Sequence, residues 1–126
     1  MTIGPDSEQK GNLRDRTKAF AIRIVKLYVA LPKSHEAQVL GKQVLRSGTS
    51  IGAHYREAQR SRSPAEFVSK IELALQELEE TDYWIELLLE CEIMSAARLA
   101  DLRQEIQELL AMLTSTVKTI KSKKGK

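Results

Sequence analysis

One cysteine, three prolines, six glycines and few aromatic residues are spread over 126 positions, and each scarcity removes a class of protein. The lone Cys91 cannot close an intramolecular disulfide, and with only two histidines it falls short of a four-ligand zinc site. A reducing compartment is the matching expectation. No run approaches the roughly 18 consecutive apolar residues that span a bilayer, so no membrane association is expected. Met1 to Asn12 is polar and contains Gly4, Pro5 and Gly11, without the apolar stretch of a secretory signal, which predicts a cytoplasmic protein. A Gly-rich phosphate loop of the Walker type and a G-x-S-x-G elbow are both missing. A di-iron bundle needs Glu-x-x-His on facing helices, yet the residues three before His35 and His54 are Pro32 and Ile51. No catalytic residue, metal or cofactor is therefore expected, and the chain reads as a non-enzyme.

What is present is helical periodicity. Leu13, Thr17, Phe20, Ile24, Leu27 and Leu31 alternate spacings of four and three, with Asn12 placed to cap the segment and Pro32 to end it. Ala21, Val25 and Tyr28 widen its apolar face. A second helix is expected from a Ser34 N-cap, with Leu40, Val44, Ser47, Ile51, His54 and Ala58 inward. Its Gly48 and Gly52 each cost about 1 kcal/mol relative to alanine, which points to close backbone packing rather than a hinge. Ser63, Pro64 and Glu66 combine an N-cap, a proline at the first helical position and a capping box. The third helix then carries Phe67, Ile71, Leu75, Leu78, Asp82, Ile85 and Leu89 inward. A fourth helix from near Ser95 continues through Leu99, Leu102, Ile106, Leu109, Leu113 and Ile120.

The spacing thus predicts an all-α, antiparallel up-and-down four-helix bundle over residues 12–120, with helices at 12–31, 34–61, 63–92 and 95–119. A disordered N-terminal tail is expected at 1–11 and a basic, Lys-rich C-terminal tail at 121–126.

Charge is segregated along this frame. Asn12 to Leu31 holds five basic residues and one acid, whereas Ser63 to Glu92 holds Lys70 alone against nine carboxylates. Glu72, Glu79 and Glu86 recur every seven residues, an acidic edge that with Trp84 forms a candidate oligomer interface. Asp82 on an inward phase needs a partner, with Arg46 or Arg56 expected. His54 is expected as an interior hydrogen-bonded histidine, and Cys91 as a small buried hydrophobe. Arg56, Arg60 and Arg62, with Tyr55 beside them, gather at the turn after the second helix. Arg14, Arg16, Lys18, Arg23 and Lys26 stud the first helix, and Lys121, Lys123 and Lys124 extend the last. Such cations neutralise phosphates with little base specificity, so these residues form the candidate nucleic-acid surface.

Ser50-Ile51-Gly52-Ala53-His54-Tyr55-Arg56-Glu57-Ala58, Ser63-Pro64-Ala65-Glu66-Phe67 and Glu80-Thr81-Asp82-Tyr83-Trp84-Ile85-Glu86-Leu87-Leu88 together resemble a bacterial four-helix-bundle family. The family is named for proteins encoded in 23S rRNA intervening sequences. Arg16-Thr17-Lys18-Ala19-Phe20-Ala21 and Leu31-Pro32 look like its first helix. The resemblance covers about Leu13 to Thr119 and implies homopentameric rings. A related branch, the accessory proteins of diversity-generating retroelements, implies RNA or DNA and a reverse transcriptase as partners. The family commonly has asparagine where this chain has His54. A neutral histidine replaces that hydrogen bond, whereas a titrating one makes the packing sensitive to mild acid.

Two readings result. One is a homo-oligomeric scaffold that associates with nucleic acid, RNA or an RNA-containing complex, through basic patches. The alternative is a structural protein-protein interaction module in which the acidic third helix pairs with a basic first helix.

Overall fold

The computed structural model describes residues 12–124, with the side chain of Lys124 left out, so the expected tail at 1–11 and residues 125–126 lie outside the described residues. Asn12 opens the first helix, its side-chain oxygen accepting the Asp15 N–H at 3.1 Å. This helix, α1, covers Leu13–Ala30 and stops where Leu31 turns extended ahead of Pro32. The second helix, α2, covers His35–Gln59; Ser34 is its N-cap residue, but the Ser34 side chain makes no capping bond.

Ser63 caps the third helix, α3 (Pro64–Glu90), by accepting the Glu66 N–H at 3.0 Å, and proline occupies the first turn. The Glu66 carboxylate takes the Arg62 N–H at 2.6 Å, so the reciprocal bond reaches one residue further back than a capping box does. After α3 the chain turns through Glu92 at φ 59, with the Ile93 N–H bonding the Leu88 carbonyl at 2.9 Å. That is a Schellman-type stop with glutamate in the left-handed position that glycine usually fills. The fourth helix, α4, covers Ala96–Lys124, with the Arg98 N–H bonding Ser95 Oγ at 3.3 Å, and it runs past the expected end at Thr119 into the lysines.

Short turns make successive helices antiparallel. Each packs on its chain neighbour, and α1 also meets α4, which closes a four-cornered bundle with α1 diagonally across from α3. The α2–α3 contact is the most extensive and the α1–α4 contact the sparsest of the four. Phe20, Ile24, Val44, Ile51, Ile85 and Leu109 are among the side chains filling the core. Among the described residues no helix is long and apolar enough to cross a membrane.

The α1–α2 corner is built by small residues. A Cβ on Gly48 would lie 2.7 Å from Ile24 Cγ1, one on Gly41 2.5 Å from Leu31 Cδ1, and one on Gly52 3.2 Å from Thr17 Oγ1. Glycine here is what lets two helix backbones approach, as the sequence reading expected.

The inward face of α3 differs from the expected one. Ile71, Ala74, Leu78, Thr81, Ile85 and Leu88 are buried, so the true stripe takes Ala74, Thr81 and Leu88 where Leu75, Asp82 and Leu89 were expected. The physical reason is fit: small Thr81 faces small Ser47 of α2, and Thr81 Oγ1 donates to Ser47 Oγ at 2.7 Å. Asp82 is then only half-buried and has neither Arg46 nor Arg56 as partner. Its Oδ1 is buried without a hydrogen bond, and burial pushes the carboxyl above the usual range, partly offset by the Arg103 charge. Arg46 bridges instead to Glu77 at 3.3 Å and to Glu80. Cys91 is exposed rather than buried, because it sits on the turn after α3 where Leu88 has already taken the core position.

Candidate nucleic-acid interface

The antiparallel topology puts the starts of α1 and α3 and the ends of α2 and α4 at one pole. Cations that are far apart in sequence therefore meet there. Arg14 near the start of α1 reaches Gln59 at the end of α2, its Nη1 donating to Oε1 at 3.5 Å. Arg60 and Arg62 are exposed on the turn that joins α2 to α3. Beside that turn is a cleft of about 600 Å³, lined by Arg62, Phe67, Ile120 and Lys123 among others, which brings the end of α4 to the same place. Along the α1–α2 edge, Lys18 and Arg56 line one shallow groove with Ala21 and Thr49.

Carboxylates are present at this pole, but they are engaged locally. Asp15 accepts from Asn12 Nδ2 at 2.7 Å, and Glu66 accepts the Arg62 backbone N–H. Glu57 lies 3.2 Å from His54 Nδ1 and 3.5 Å from Lys70 Nζ, and these two partners hold its carboxyl below the usual range. Among the described residues, Arg56, Arg60, Arg62 and Lys123 make no ion pair, while Lys121 pairs with Glu72 at 3.3 Å. A pole with unpaired guanidinium groups around a cleft is suited to phosphate oxygens, which guanidinium binds in a bidentate manner.

Other sequence candidates lie elsewhere. Arg16 is half-buried at the α1–α4 seam, its Nη2 at 2.7 Å from both Glu105 and Glu108. The hydrogen bond to Glu105 comes first among the influences that raise its pKa above the ordinary value. Its charge is therefore committed within the bundle. Arg23 and Lys26 line a groove on the same seam with Leu27, Met94, Arg98 and Leu102, toward the opposite end of α1. Arg98 had no signal in the sequence, because only the fold shows that the start of α4 meets the end of α1. Tyr55 is half-buried against the core rather than presented beside the arginines, and burial raises its phenol pKa. Lys124 ends α4, and its side chain lies outside the described residues.

The acidic edge of α3 is an exposed surface. Glu79 and Glu86 are exposed and make no ion pair among the described residues. Trp84 is half-buried, its Nε1 unpartnered, with its ring 5.1 Å edge-on to Tyr83. His54 lies between two carboxylates, 3.2 Å from Glu57 and 3.8 Å from Glu77 of α3, half-buried rather than interior. Among the described residues no group of His, Cys, Asp and Glu could hold a metal ion.

Comparison with known proteins matches this arrangement to one family. Residues 10–115 fit the family described as 23S rRNA-intervening sequence protein. A crystal structure of a protein of unknown function from the S23 ribosomal protein family of Bacteroides thetaiotaomicron VPI-5482 is 41% identical, with a TM-score of 0.79, the match covering 83% of this chain and 97% of that one. No curated protein matches the chain. Neither match indicates an enzyme family. With a family match over most of its length and a bundle that superposes on a solved relative, the chain belongs to the 23S rRNA-intervening sequence protein family.

Proposed function

We propose that the protein is a non-enzymatic, self-associating scaffold that binds nucleic acid, RNA foremost, through its basic pole. The observation that carries this reading is a set of unpaired cations at one pole, where Arg62 and Lys123 line the cleft, Arg60 is exposed on the same turn and Arg56 lines the groove on the α1–α2 edge, while nearby carboxylates have partners of their own. Binding there is electrostatic, releases counterions and carries little base specificity. The sequence carries no recognition-helix motif, so the proposed binding does not include duplex sequence readout. RNA is the first probe because the family description names 23S rRNA and the solved relative belongs to a ribosomal protein family. The exposed free thiol of Cys91 fits a cytoplasmic, reducing setting.

The test is fluorescence anisotropy with labelled structured RNA, single-stranded DNA and duplex DNA at low and near-physiological salt. Binding that persists at moderate salt and falls about tenfold in the Arg60→Glu/Arg62→Glu variant, with helicity unchanged, is the expected result. Equal binding by that variant would remove the pole from the function.

A further inference from the structure

We propose that the cleft at the basic pole takes an unpaired nucleobase, held against Phe67 while Arg62 and Lys123 meet its phosphate, so that the protein selects single-stranded segments of RNA over duplex. This rests on the phosphate-binding reading above and names the part of the nucleic acid that the pole selects.

The cleft forms where two helix ends meet. Pro64 and Phe67 are three residues apart near the start of α3, which sets them on one face, and the Ser63 cap fixes where that face begins. Ile120 and Lys123 are likewise three apart, and they reach the cleft because α4 continues past Thr119. Arg62 lines the same space from the turn before α3. Pro64, Phe67 and Ile120 make an apolar wall beneath a cationic rim.

Neither the ring nor the rim is fully used by the fold. Phe67 packs against the core yet is only half-buried, which leaves part of its ring to the cleft it lines. Arg62 and Lys123 are exposed and make no ion pair among the described residues. No carboxylate lines the cleft. Of the two acids closest along α3, Glu66 accepts the Arg62 backbone N–H at 2.6 Å and Glu72 pairs with Lys121 at 3.3 Å.

Size and chemistry then choose the occupant. At about 600 Å³ the cleft lies within the range of roughly 300 to 1,000 Å³ typical of small-ligand sites. An aromatic ring in an apolar wall suits the flat face of a base, and guanidinium with ammonium at the rim suits the phosphate attached to it. An acidic peptide would use the cations but not the ring. The groove holding Arg23, Lys26 and Arg98 and the one holding Lys18 and Arg56 have no aromatic lining, so they offer charge alone. In a duplex each base is already stacked and paired, and only an unpaired one is free to turn out against Phe67. Stacking tolerates any base, which agrees with low base specificity at the phosphates.

The test compares a short single-stranded RNA with a blunt RNA duplex of equal phosphate number, by anisotropy across a salt series, with circular dichroism to check helicity. Wild type is expected to prefer the single strand. Phe67→Leu keeps the apolar volume without the aromatic face, and should weaken single-strand binding about fivefold, leave duplex binding unchanged and leave the salt slope unchanged. Phe67→Tyr should retain the preference. On the unaltered protein, photocross-linking with iodouridine-substituted single-stranded RNA should label Phe67, an outcome that does not depend on how any variant folds. A wild type that binds both RNAs alike, a Phe67→Leu variant with undiminished preference, or cross-links confined to other residues such as Tyr83 and Trp84 would overturn the base-binding role of the cleft. A wild type that binds neither RNA would overturn the phosphate-binding reading along with it.

Discussion

The two sides of α1 close the bundle in opposite ways. Toward α2 the seam is made of missing atoms: Gly41, Gly48 and Gly52 leave room for Tyr28, Leu31, Ile24 and Thr17 to sit against backbone. Toward α4 contact is sparse, and the gap is spanned by one long side chain, Arg16, between Glu105 and Glu108. A seam of close packing tolerates almost no added volume. A polar bridge tolerates volume but fails when one charge is removed. The same helix thus has one rigid edge and one edge that depends on a single residue.

The largest expected effect lies on the rigid side. Gly48→Val places branched carbon where Cβ alone would already lie 2.7 Å from Ile24, and should cost about 3 kcal/mol in urea unfolding. Gly52→Ala should be close to neutral, because the 3.2 Å approach to Thr17 Oγ1 needs a small shift and alanine recovers about 1 kcal/mol of helix propensity. If the two substitutions cost the same, the seam is not held by close approach.

On the bridged side, Arg16→Ala leaves Glu105, whose side chain is 19% exposed, without its partner and should cost about 2 kcal/mol. Because the pair is largely screened from solvent, the loss should change little between low and moderate salt. A stability difference that vanishes with salt would make the bridge a surface pair.

The α2–α3 corner sharpens the contrast, since it is the most extensive contact yet contains a polar bond. Ser47→Ala and Thr81→Val should each cost about 1 kcal/mol, and the double variant less than the sum, because both single variants lose the same shared bond while the hydroxyl left behind keeps its bond to the Gln43 or Glu77 carbonyl of its own helix. Strict additivity would mean the two hydroxyls do not interact.

Asp82→Asn should have the smallest effect, a gain of about 0.5 kcal/mol at neutral pH for this half-buried group. Burial sets the folded pKa of Asp82 above its unfolded value, so the native state binds more proton and stability falls as pH rises through the titration. Asparagine removes that fall, and its advantage should shrink as the pH is lowered to about 4. An advantage that grows on acidification would contradict the sign.

These edges also show what was legible beforehand. Helix number, order and most boundaries followed from spacing and from strong local signals such as Ser63-Pro64 and Leu31-Pro32, which act without help from the rest of the fold. The glycine-rich face of α2 was readable for the same reason. The register of α3 was not, because Leu73, Leu75, Leu87, Leu88 and Leu89 make its apolar surface nearly continuous, so the facing helix decides which stripe is inner. Small Thr81 won because α2 places small Ser47 opposite it. The basic pole was half legible: Arg56, Arg60 and Arg62 are close in sequence, but their union with Arg14 and Lys123 is a product of topology. The commitment of Arg16 to two glutamates far along the chain had no local signal.

The central claim is that phosphates are met at this pole by unpaired cations, and the salt dependence of binding tests it most directly. For single-stranded RNA, the slope of log affinity against log salt should fall by roughly 1 to 1.5 when Arg60 and Arg62 become glutamate, at about 0.7 for each phosphate no longer neutralised. An unchanged slope, or tight binding without salt dependence, would contradict the account.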